Sequence, residues 1–80
     1  MVGIVVSKSL SKKDIDQLLS VLEESEIGKL ITVKISKSYM PPVWFADLAI
    51  DEQAISEFEN LVRFGPLGNW EDNLLRAKHP

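Results

Sequence analysis

The stretch Ser9-Leu-Ser-Lys-Lys-Asp-Ile-Asp-Gln-Leu-Leu-Ser-Val-Leu-Glu-Glu-Ser-Glu-Ile-Gly28 decides how this chain folds. Ile15, Leu18, Leu19 and Leu22 fall at i, i+3, i+4 and i+7, the apolar stripe of an amphipathic helix. Ser11 is a good N-cap, with Asp14 three residues on as a short capping-box partner. Gly28 suits a left-handed residue closing the helix. The charges run against the helix dipole: Lys12 and Lys13 sit in its first turn, and Glu23, Glu24 and Glu26 lie in or just beyond its last.

Strand patterns flank this helix. Residues 2–6 form a short apolar run without alternation, which predicts a strand buried on both faces, and residues 7–10 read as a turn. Residues 29–37 predict a second strand, with Ile31, Val33 and Ile35 on one face and Thr32, Lys34 and Ser36 on the other. Residues 38–42 end in two prolines and read as a loop. Residues 43–50 predict a third strand, with Trp44, Ala46, Leu48 and Ile50 on one face and Val43, Phe45, Asp47 and Ala49 on the other.

Two helices complete the chain. Asp51 caps the first, whose stripe is Ala54, Ile55, Phe58, Leu61 and Val62, and Gly65 ends it in a left-handed cap. Asn69 caps the second, residues 70–78, with Trp70 and Leu74 toward the core. Both place acids first and bases last, so the reversal belongs to the opening helix alone.

The order is therefore β-α-β-β-α-α in one α+β domain spanning residues 1–80. A strand–helix–strand crossover makes the first two strands parallel and right-handed. A connection of about six residues makes the third antiparallel to the second. The result is a three-stranded sheet with the helices on one face. The third strand fits between the first two, as in a split βαβ unit. In element order alone this resembles a ferredoxin-like fold lacking its fourth strand. The same topology gathers Lys8, Lys12, Lys13, Lys37 and Arg63 at one end, and Glu23, Glu24, Glu26, Asp51 and Glu52 at the other.

Composition narrows the chemistry. Residues 1–40 carry +1 and residues 41–80 carry −4, giving −3 overall, which argues against a general nucleic-acid binder. There is no cysteine, so disulfides and thiolate metal sites are excluded and a cytoplasmic location follows by default. The N-terminal apolar run is too short for a signal or a membrane span. Asp47, Asp51 and Glu52 match no calcium loop, and His79 has no second histidine, so neither a metal nor a cofactor is expected. No nucleophile motif or triad is present, which leans away from an enzyme.

Two surface readings remain. Ser9, Ser11, Lys12 and Lys13, with Lys37 at the same end, lead into a helix N-terminus and make a candidate anion or phosphate site. Tyr39, Met40, Phe45, Phe64 and Leu67 make a candidate apolar contact surface for a protein partner or a second copy. The first strand, at a sheet edge, offers another route to self-association. Protein contact is the leading reading, anion or nucleic-acid binding the alternative.

Overall fold

The computed structural model describes residues 3–79. Strand β1 is Gly3–Leu10, helix α1 Lys12–Glu24, β2 Ile31–Tyr39, β3 Pro42–Asp51, α2 Ile55–Arg63 and α3 Glu71–Lys78. Short 3-10 turns at Glu26–Leu30, Glu52–Ala54 and Gly68–Trp70 link them. The sheet order is β1-β3-β2, and β3 is antiparallel to both neighbours. The third strand thus lies between two parallel ones, as in a split βαβ unit.

The core lies between the sheet and the helices. Val6, Leu10, Ile31, Ala46, Leu48 and Ile50 enter it from the strands. Ile15, Leu18, Leu22, Phe58, Val62, Trp70 and Leu74 enter it from the helical side. The other sheet face stays open, with Val5 61% and Phe45 41% exposed.

Several local expectations are corrected. Strand β1 continues through residues 7–10, and its burial alternates, so it is covered on one face only. Residue 2, where the strand was expected to begin, and Pro80 lie outside the described residues. Leu19 is 41% exposed and does not join the buried stripe of α1. The loop expected at 38–42 shrinks to a tight hairpin: Tyr39 faces Pro42 across Met40 and Pro41, whose peptide bond is cis. Proline is tolerated at Pro42 because it opens the strand beyond the reach of β1.

Both glycine caps are also corrected. No described glycine has positive φ. α1 instead ends at Ser25, whose amide donates to the Leu22 carbonyl at 3.2 Å and whose hydroxyl accepts from the Ile27 amide at 3.3 Å. α2 ends at Phe64, whose amide donates to Asn60, and the Leu67 amide then donates back to Leu61. Asn69 caps nothing with its side chain, since Gly68–Trp70 forms a 3-10 turn that runs straight into α3. The Ser11 cap stands as read, its hydroxyl accepting from the Asp14 amide at 3.2 Å. Asp51 caps the 3-10 turn Glu52–Ala54 that leads into α2, accepting from the Gln53 amide at 3.0 Å, rather than α2 itself.

α3 packs beside β1, and the Asn73 side-chain amide donates to the Ser7 carbonyl at 2.8 Å. Its far end is tied to α2, where Lys78 Nζ meets Glu59 Oε1 at 2.5 Å. That hydrogen bond is the main cause holding the Glu59 carboxyl below its ordinary value; the charges of Lys78 and Arg63 act in the same direction against burial. A lowered folded-state value stabilises the fold above the ordinary carboxylate range, and the gain is lost as pH falls through the lowered value. Lys78→Met should therefore cost up to about 1 kcal/mol at neutral pH. The cost should vanish in acid once Glu59 is protonated. Urea midpoints at both pH values check this, and an equal cost at both would contradict it.

Candidate contact surface at the hairpin end

Strand register sets the end of the domain where the candidate residues meet. Trp44 faces Leu10 on one side and Lys37 on the other, so the end of β1, the start of α1 and the β2–β3 hairpin share one end. Asn69 joins them, lining a shallow groove with Ser11, Lys12, Asp14 and Trp44. The acidic residues Glu23, Glu24, Glu26, Asp51 and Glu52 lie at the opposite end, where α1 finishes and β3 leaves the sheet. Lys29 lies there too. The expected end-to-end polarity is only partial: α3 starts beside Lys8 with Glu71 and Asp72 and carries Arg76 past Val5 toward the acidic end, and Asp14 and Asp16 share the basic end.

The hairpin carries two of the three largest apolar exposures. Met40 is 92% exposed and Tyr39 78%; Phe64, after α2, is 85% exposed, and nothing places it against the hairpin. The Lys37 ammonium lies 5.0 Å from the Trp44 ring centre and 5.3 Å from that of Tyr39. Odd-numbered residues of β2 share the Trp44 side of the sheet, so alternation alone brings these three together. Each ring attracts the ammonium by about 0.5–1 kcal/mol at an exposed site. The cluster stiffens the stalk behind an exposed tip.

The other contact candidates divide. Phe45 lies on the open sheet face, in the row with Ser9 and Ser36, and so looks away from the Trp44 side. Leu67 is corrected outright: it is 1% exposed, because its bond to Leu61 folds the turn onto the core.

The anion candidates are similarly dispersed. The Ser11 hydroxyl is taken by its own helix. Lys12 pairs with Asp16 at 2.5 Å, both side chains well exposed. Ser9 projects from the open sheet face, Lys37 is held between rings, and Lys13 is exposed. The carboxyl-bearing Asp14 lines the same groove. On the open face Lys34 faces Asp47 across the strands, which balances the charge there.

Sequence reasoning missed Lys8. Its stem lies on the core side of β1, its ammonium donates to the Asn69 carbonyl, and it stands 5.9 Å from the Trp70 ring centre. Only the tertiary position of α3 could have revealed that role. Among the described residues no group of three His, Asp or Glu side chains is placed to hold a metal, and no helix is long and apolar enough to cross a membrane. No known protein family, curated protein or solved structure matches this chain.

Proposed function

We propose that this domain works by protein–protein contact, as a subunit or adaptor without catalysis of its own. Its contact end is the hairpin tip. One observation carries the reading: Met40 and Tyr39, two of the three most exposed large apolar side chains, sit next to each other at that tip. Isolated exposed apolar residues are common, but a pair of them on a stiffened hairpin marks a contact surface. Anion binding at the start of α1 draws less support, because Ser11 and Lys12 already have partners.

The test is purification of the tagged chain from its native cells, beside the variant Met40→Asp. An apolar contact should hold its partner through about 0.5 M salt, where an exposed ionic one is screened. The variant should weaken it at least tenfold, about 1.4 kcal/mol. A partner retained by the variant, or released from the unmodified chain by salt, would overturn the reading.

A further inference from the structure

The two edges of the sheet are not alike. In an antiparallel ladder a residue turns its amide and carbonyl either both toward one neighbour or both away from it. The Asn73 amide reaches the Ser7 carbonyl from outside the sheet, and the Ile50 carbonyl lies against Gly3 on β1. Both facts set the same phase: residues 44, 46, 48 and 50 bond to β1, and residues 43, 45, 47 and 49 bond to β2. On β2, Val33, Ile35 and Lys37 therefore turn their backbone groups outward. Among the described residues nothing bonds to these groups. The edge with no element beside it is thus β2, whereas α3 flanks the expected open edge at β1 and takes its Ser7 carbonyl.

We propose that a second copy of this chain pairs antiparallel along β2, joining the two sheets into one of six strands about a twofold axis. This surface is separate from the hairpin tip. Full overlap of Ile31–Tyr39 puts Ile35 on the axis. Val33 then faces Lys37 of the second copy, Lys34 faces Ser36 and Thr32 faces Ser38. No like charges stand opposite each other, and every outward-turned residue meets another.

The helices agree with the same axis. Leu22 and Val33 line one groove with Leu19 and Glu23. Leu18 is four residues up the helix from Leu22, about 6 Å. Ile35 is two residues up the strand from Val33, about 6.6 Å. The middle of α1 is therefore level with the axis, and the two copies of α1 lie antiparallel above the seam. Lys12, Leu19 and Glu23 share one side of the helix by their spacing of seven and four. Lys12 of each copy, which also pairs with Asp16 on that side, then approaches Glu23 of the other. Lys29 lies along the groove and offsets part of the acidic excess. Charges that oppose their own helix dipole are favourable beside a neighbour running the other way. The reversed charge order of α1 thus has a cause in the dimer.

Sedimentation of the full chain, from about 10 to 500 µM in low salt, tests this against charge variants. A dimer is expected. Glu23→Lys and Lys12→Glu, both on exposed side chains, should each weaken it at least tenfold. The double variant should return to within about threefold of the original, since the swapped charges face each other again. Circular dichroism confirms that each variant is folded. Met40→Asp should leave the dimer intact, so failure here is distinguishable from failure of the hairpin contact. A monomer throughout the range, a dimer indifferent to both single changes, or a double variant as weak as the singles would overturn the proposal.

Discussion

Trp70→Ala should remove a large share of the stability of this domain. Trp70 is 1% exposed and sits where the 3-10 turn Gly68–Trp70 becomes α3. Its ring packs in the core and faces the Lys8 ammonium. Truncating a buried tryptophan costs about 3–5 kcal/mol, through lost transfer energy and the cavity left behind. A chain of this length holds only about 4–12 kcal/mol in total. The same change loosens α3 from β1, so the Asn73–Ser7 bond should fail before the central strand does. Urea unfolding should show the loss, and hydrogen exchange should show the hydrogen-bonded amides of residues 75–78 in α3 losing protection before those of the central strand. Trp44 is partly exposed, so Trp44→Ala is the control and should cost less than half as much. Equal costs would mean that Trp70 does not pin the third helix.

The contrast between the two tryptophans shows what the sequence holds and what it does not. Alternation along β3 puts Trp44, Ala46, Leu48 and Ile50 on one face, and the crossover rule makes the outer two strands parallel, before any coordinates are known. The place of β3 between them follows only by analogy with a split βαβ unit. Burial of the turn after α2 does not: Leu67 looks exposed between Pro66 and Gly68, yet a backbone bond to Leu61 folds it inward. Strand β1 extends past its sequence pattern for a related reason. Ser7, Lys8 and Ser9 resemble a polar turn, and only contact with Asn69 and Trp70 explains an inward lysine there. Which edge is open likewise depends on α3, a long-range packing choice that no local pattern encodes. The anion candidates looked convergent because they are close in sequence, but strand alternation sends Ser9 to the opposite face from the helix.

Gly28→Ala should cost about 2–3 kcal/mol, for a reason different from the one its position suggests. A glycine after a helix invites the left-handed cap reading, in which asparagine is a tolerable substitute. Here φ is not positive, and the Gly28 amide donates to the Ser25 carbonyl at 3.1 Å within a 3-10 turn. A Cβ would instead run into the Leu22 carbonyl oxygen and lie 3.2 Å from its carbon. That oxygen already accepts the Ser25 amide, and the Leu22 side chain is buried, so backbone inside the core has to give. Ile27 and Ile31, both 7% exposed, hold the turn on either side. Melting should fall by roughly 8–24 °C for a domain of this size. Gly68→Ala is the matched control: its nearest neighbour would be the Val62 oxygen at 3.6 Å, an ordinary contact, so its cost should stay within about 0.5 kcal/mol. Gly28→Asn separates the two causes. Close approach makes asparagine at least as damaging as alanine, whereas a left-handed cap would make it the milder change.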